Sequence, residues 1–198
     1  MDNSEKDKLS AVVLAPYIQK AWALVGVKRK IGGNQFRHCM ATMVILIDYH
    51  YIDSVLLKAA TIHDLIEDFE AASTEDIIKI HDGDEEKVVK LVLEVSQRPG
   101  ESKIEFYNRI LNEGSKEAKI LKCADRISNL TDLHLDAKGY DRMISYLDET
   151  EKYVFPLAKE VNADMLNELK DLVTRRRVYL KSMPRGTLSK ISKLLFKG

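Results

Sequence analysis

The chain is poor in residues that build tight turns. It has 9 Gly and 4 Pro among 198 residues, too few for an all-β architecture with many hairpins. Cysteine is scarce as well. Cys39 and Cys123 are the two present, so the expectation is a pair of reduced, buried thiols in a cytoplasmic protein rather than a disulfide scaffold. Net charge is missing: Lys and Arg number 31, Asp and Glu number 31. That balance argues against a surface that attracts nucleic acid as a whole, and no specific nucleic-acid partner is expected. Long apolar runs are also lacking. Met43 to Ile47 is five residues long, and no membrane span is expected from a run of that length. The N-terminal segment MDNSEKDKLS is polar and acidic, unlike the basic and then apolar pattern of a signal peptide.

What is present is helical periodicity. Hydrophobic residues make up 45% of the chain and charged residues 31%, the balance of one soluble globular domain. Apolar faces at helical spacing predict helices from Leu9 to Val25, with Pro16 as a kink or break, and from Phe36 to Asp48, apolar after His38 and therefore buried. A third is predicted from an Asp53 cap to about Phe69. Further helices follow around Ser73–Asp76, Glu85–Val95, Ile104–Leu111, Lys116–Ala137, Tyr140–Ala158 and Ala163–Leu180. The fold class is thus all-α, a bundle of about eight or nine helices. The domain is expected to span residues 1–174. Residues 175–198 form a basic tail, with Leu188, Ile191, Leu194 and Leu195 spaced as on a short amphipathic helix. A solvated terminus explains such a tail, and so does a contact with an anionic partner.

Chemistry concentrates in two segments. Thr61 to Asp68 reads TIHDLIED. On a helix His63 stacks over Glu67 and Asp64 over Asp68, so four polar groups crowd one edge of an apolar element. The second segment, Leu121 to Leu130, reads LKCADRISNL and puts Asp125 and Asn129 one turn apart. His38 opens the apolar helix upstream. Two imidazoles and two carboxylates make a mixed nitrogen and oxygen donor set. Such a set suits a six-coordinate divalent ion such as Mn²⁺ better than a closed structural zinc site. Cys39 and Cys123 flank two of these residues, but the donor count is met without them.

The order His…His-Asp…Asp on helices resembles the HD-domain superfamily of metal-dependent phosphohydrolases. The HDxxED pattern of His63 to Asp68, the KCADRISNL segment and the basic stretch Lys28-Arg29-Lys30 upstream of His38 narrow the likeness. Together they resemble the hydrolase domain of RelA/SpoT-type proteins and the small alarmone hydrolases, including the metazoan SpoT-homologue type. The resemblance covers about Tyr17 to Asp148. It implies hydrolysis of the 3′-pyrophosphate of guanosine tetra- or pentaphosphate, with Mn²⁺ as cofactor and a purine nucleotide polyphosphate as substrate. His38, His63, Asp64 and Asp125 match the metal ligands, and Glu67 and Asp68 the catalytic acid pair. Arg29 matches the residue that packs on the purine, Lys30 lies beside it, and Asn129 matches a nucleotide contact. The loop Ile31 to Arg37, IGGNQFR, departs from the family's Ser-Gly-Glu-Pro-Tyr form. A 5′-nucleotidase or a hydrolase of the adenine analogue, (pp)pApp, would carry the same metal site.

Overall fold

The structure is a computed structural model that describes residues 1–136 and 139–182. Among those residues it is all-α, with no strand beyond one isolated bridge between Lys28 and Asn34. The helices are α1 (Asn3–Ser10), α2 (Ala15–Ala21), α3 (Gln35–Asp48), α4 (Ser54–Ile62), α5 (Leu65–Asp68), α6 (Thr74–Ile78), α7 (Glu85–Val95), α8 (Lys103–Glu113), α9 (Lys116–Asp132), α10 (Tyr140–Glu149), α11 (Phe155–Val161) and α12 (Ala163–Ser182).

Several predicted helices are divided. The first breaks at residues 11–14, and Pro16 starts α2 in the first turn, where its missing N–H costs nothing. Ahead of the break the polar N-terminal segment forms α1, closed by a capping box between Asp2 and Glu5. The third predicted helix starts as expected, with Asp53 accepting from Leu56 N at 2.9 Å. It stops at Ile62, and His63-Asp64 make a turn before the short α5. The eighth widens into a π-turn at Thr150–Val154 between α10 and α11. That irregularity has a visible cause. Arg126 enters there, donating to Thr150 Oγ1 at 2.9 Å and to Glu149 Oε1 at 2.9 Å.

The centre of the bundle is α9. Eleven of its 17 residues are buried, on every side, as befits a helix surrounded by others. α3, α7, α11 and α12 pack on it, and α4 packs between α3 and α7. α3 buries one face only, through His38, Cys39, Thr42 and Leu46, while Val44 is exposed. The uniform apolar run had suggested burial all round. Residues 175–182 of the basic tail continue α12. Arg176 Nε donates to Leu130 O at 2.8 Å, and Arg177 pairs with Asp148 at 2.7 Å. Residues 183–198, with the amphipathic pattern, lie outside the described residues, as does Ala137.

α4, which leads into His63, is anchored by a buried lysine. Lys58 Nζ lies 2.8 Å from Asp82 and 2.6 Å from Asp84, in the loop before α7. Tyr17 donates to Asp82 at 3.0 Å and Ser54 to Asp84 at 2.8 Å. Lys58 and Ser54 hold Asp84 below the ordinary carboxylate range. At Asp82 burial pushes upward most strongly, and Lys58, the Asp84 amide and the Tyr17 hydroxyl together outweigh it. Both folded values are depressed, so this contribution is present above the usual value of 3.8 and is lost as pH falls below it. Lys58→Ala should cost about 3 kcal/mol, the low end for breaking a buried pair, because the carboxylates stay partly wet. Denaturant melts at neutral pH check this. Adding Asp82→Asn and Asp84→Asn to the variant should recover part of the loss, and the cost should shrink at pH 3.

Candidate metal and nucleotide site

Three elements bring His38, His63 and Asp125 into one cluster, with Asp64 beside both rings. Asn34 caps α3 by accepting from Arg37 N at 2.9 Å, which fixes the first turn and with it His38. The break after Ile62 turns His63 and Asp64 out of the line of α4. Asp125 comes from the middle of α9. His38 Nε2 lies 3.1 Å from Asp125 Oδ1 and 3.5 Å from Asp64 Oδ2, and His63 Nε2 lies 3.3 Å from Asp64 Oδ1. Both rings are buried, and their centroids are 5.2 Å apart.

The hydrogen bonds behind the rings decide what the front can do. His63 Nδ1 faces the carbonyl of Ala60 at 2.9 Å. A carbonyl only accepts, so Nδ1 carries the hydrogen and Nε2 presents a lone pair. That buried Nε2 has no hydrogen-bond partner. His38 Nδ1 pairs with Ser128 Oγ at 2.9 Å, again leaving Nε2 to the front. His63 therefore turns a ring lone pair toward the carboxylates, and His38 Nε2 lies within hydrogen-bond distance of Asp125. Ligand atoms of His38, His63 and Asp125 all lie within 4.8 Å of one another. The donor chemistry fits a divalent cation. The field around His63 favours a cation too: burial, the largest single influence, opposes a charge there, but Asp64, Cys39 and Asp125 together outweigh it and pull the imidazole pKa well above 6.5.

Other groups tune the centre. Lys122 Nζ lies 2.7 Å from Asp125 Oδ2. Burial, the largest single influence, would raise the Asp125 carboxyl, but Lys122, His38 and His63 together outweigh it and hold the group well below its ordinary value. Asn129 donates to Asp125 Oδ1 at 2.5 Å. Cys39 can also face His63 and Asp64 within ligand range, but burial raises its thiol pKa and disfavours the thiolate. Burial likewise pushes Cys123 up to about 12.

The acid pair is divided between two cavities. Glu67 opens on a cavity of about 250 Å³ that also holds His38, Asp64, Lys122, Asp125 and Arg126. Asp68 opens on a neighbour of about 230 Å³ lined by Val27 to Ile31, Asn129, Arg142 and Tyr146. Gln35, Asn129 and Tyr146 border both. Surrounding atoms strip part of the hydration from both carboxylates and raise their pKa values above the ordinary range. The rise is limited because both side chains still meet solvent. Gln35 bridges the cavities, donating to Asp64 Oδ2 at 3.3 Å and also to Asp68 Oδ2. Arg29 is nearly buried and donates to Asn129 Oδ1 at 2.8 Å, with Asp132 at 3.5 Å. Lys30 lines the second cavity with it.

Sequence patterns did not single out Gln35, Arg142, Tyr146 or the turn after α7. Gln35 stands one turn before His38, so it had a spacing signal. Gln97, whose N–H reaches Glu67 Oε1 at 2.6 Å, is 30 residues away in the chain and had none. The other histidines stand apart. His50 and His81 take positive φ of 62° and 54° in turns. His134 packs edge-on against Tyr179.

An all-α bundle with two histidines and two aspartates on these elements resembles the HD-domain class. No family model matches the chain, and no curated protein sequence matches it. A solved structure does, one described as that of a metazoan ortholog of SpoT that hydrolyses ppGpp and plays a role in starvation responses. It shares 25% of residues over 89% of this chain and 97% of that one, with a TM-score of 0.68. The chain has that all-α HD-domain fold and resembles the RelA/SpoT hydrolase domain, and the likeness supports a hydrolase with a divalent metal. No single helix among the described residues is long and apolar enough to cross a membrane.

Asp64→Ala and His63→Ala each remove one donor from the set. Both should lower bound Mn²⁺ by at least tenfold in metal analysis after dialysis while the circular dichroism stays helical. Full Mn²⁺ retention by both variants would place the ion elsewhere.

Proposed function

We propose that the chain is a Mn²⁺-dependent 3′-pyrophosphohydrolase of guanosine 3′,5′-bis(diphosphate) and its pentaphosphate. Water cleaves the bond between the 3′-oxygen and phosphorus, giving GDP or GTP and pyrophosphate. The observation that carries this reading is the division of the acid pair. Glu67 faces the metal cavity and Asp68 the adjoining cavity beneath the Arg29 loop. A nucleotide spanning the two cavities brings its 3′-phosphorus between the two carboxylates.

His38, His63, Asp64 and Asp125 would hold the ion. When bound, a divalent ion there lets a water ionise near neutral pH and draws charge from a phosphoryl oxygen. Glu67 takes the proton of the attacking water. Lys122 and the Gln97 amide favour its carboxylate form and so keep it a base. Asp68, raised by desolvation, gives a proton to the departing 3′-oxygen. Attraction for the polyphosphate is local, because the chain has no net charge. Lys122, Lys103 and Arg126 border the metal cavity and Lys28, Arg29 and Lys30 the other. Arg29, flat and held by Asn129, offers a face for the purine that a lysine would not.

The test is a nucleotide panel with Mn²⁺-loaded protein, following pyrophosphate against orthophosphate. Pyrophosphate release from the guanine 3′-pyrophosphate is expected. Orthophosphate from 5′-monophosphates, or turnover of the adenine analogue alone, would replace the reading with a 5′-nucleotidase or a (pp)pApp hydrolase. Glu67→Ala should keep its metal and lose about 10²–10⁴-fold in kcat. A collapse of metal content instead would make Glu67 a ligand.

A second pair of variants tests the base contact. Arg29→Ala should raise KM about two- to thirtyfold, the worth of a stacked cation, with a smaller change in kcat. Arg29→Lys should recover little. Equal losses on a small phosphoester without a base would assign Arg29 to the phosphates.

A further inference from the structure

Glu67 is held from outside its own helix. α5 is a single turn, and the hydrogen bond that Glu67 accepts comes from the Gln97 amide at 2.6 Å. Gln97 belongs to the segment Ser96–Glu101 that leaves α7. This segment is closed on itself. Glu101 N donates to Arg98 O at 3.0 Å, Arg98 N to Glu101 Oε2 at 2.9 Å, and the Gln97 side chain to Glu101 O. Gly100 takes φ +77°, open to glycine with little strain. Gln97 to Gly100 are all exposed, so no apolar burial holds the turn in place.

One guanidinium does. Arg109 of α8 donates through Nη1 to Glu94 O at 2.9 Å and through Nη2 to Ser96 O at 2.8 Å. It also meets Glu101 twice, from Nε to Oε1 at 2.7 Å and from Nη2 to Oε2 at 3.0 Å. Glu94 O lies in the last turn of α7, where carbonyls lack helical partners. The Arg109 side chain is 9% exposed, and it lies over the Phe106 ring at 5.4 Å. Phe106 borders the metal cavity and carries Lys122 Nζ at 5.2 Å. The planar fork thus clamps both ends of the turn at once, which a point charge could not do.

We propose that Arg109 is a positioning residue. Through the 96–101 turn it sets where the Gln97 amide stands, and so how the Glu67 carboxylate points at the metal cavity. The inference rests on the assignment of Glu67 as the base. The other charged groups facing Glu67 are Lys122 and Asp125 of α9 and Asp64 of the turn before α5. None of them forms a hydrogen bond or ion pair with Arg109, whose polar link to Glu67 is the amide; the Phe106 ring, which carries both Arg109 and Lys122, is a second, apolar connection.

The experiment uses the full chain, Mn²⁺-loaded, with Arg109→Ala, Arg109→Lys and the isosteric Glu101→Gln. For Arg109→Ala, kcat on the guanine 3′-pyrophosphate should fall about tenfold to a hundredfold, the range a small misplacement costs. KM should stay within about twofold and metal content should not change. A carboxylate that loses a donor becomes easier to protonate, so the acid limb of the kcat profile should move to higher pH. The Gln97 amide should exchange faster with deuterium. Arg109→Lys should restore little. Glu101→Gln keeps the carbonyl contacts and should fall between, and these two variants carry the test if Arg109→Ala does not fold. A kcat and pH profile like the parent's, with a fast-exchanging Gln97 amide, would overturn the proposal. Thermal stability falling with no shift of the profile would reduce Arg109 to a structural clamp. If the parent chain releases no pyrophosphate, the functional reading fails by itself. The positioning claim is then decided by ¹³C titration of the Glu67 carboxyl, which should rise in Arg109→Ala and stay put if the claim is wrong.

Discussion

His38, His63 and Asp125 meet at one buried point, with the Asp64 carboxylate beside both rings. His63 Nε2 is 3.3 Å from an Asp64 oxygen, and His38 Nε2 is 3.1 Å from an Asp125 oxygen. Buried carboxylates cannot be held there without positive charge beside them or a scaffold that prevents escape. The bundle supplies the scaffold. Ala60 O and Ser128 Oγ lock the rings from behind, and Lys122 answers Asp125 from the side. The donor set left over suits a divalent cation.

The same demand explains why α9 sits at the centre. It carries Asp125 and also the cations Lys122 and Arg126, which a peripheral helix would leave in water. Arg126 is buried against Glu149 and the Tyr146 ring, 4.0 Å from its centroid. It widens the end of α10 into a π-turn. Elsewhere, buried pairs fasten loops to helices: Lys58 to the loop before α7, Arg109 to the turn after it. A chain with no net charge thus places its ion pairs where they fix backbone.

The two carboxylates of the acid pair are neighbours in sequence and not in surroundings. Glu67 is directed by a backbone amide from α7's exit turn, and Asp68 by the Gln35 side chain at the start of α3. Each faces its own cavity. Two adjacent acids with different partners can hold different protonation states, which is what an acid and a base on one reaction require. The link from Arg29 through Asn129 to Asp125 ties the second cavity to the metal centre by hydrogen bonds of 2.8 and 2.5 Å.

Much of this was legible in the sequence. Apolar spacing of 3.6 residues marks helices whatever their neighbours, so the all-α class and the Asp53 cap followed from local rules. The His63-Asp64 dipeptide, the Glu67-Asp68 pair and the Lys122-to-Asn129 segment are local patterns too, and they lie at the site as spaced. Tertiary structure decided the rest. The His63-Asp64 turn interrupts a helix that periodicity ran on to Phe69, because these side chains must leave the helix line to meet His38 and Asp125. α3 looked buried all round, yet one face of it is wet, since burial depends on which neighbours arrive and not on the residue alone. Gln97 and Arg109 carried no signal. Their contacts join an amide and a guanidinium to groups on other elements, and such contacts exist only once the helices have packed.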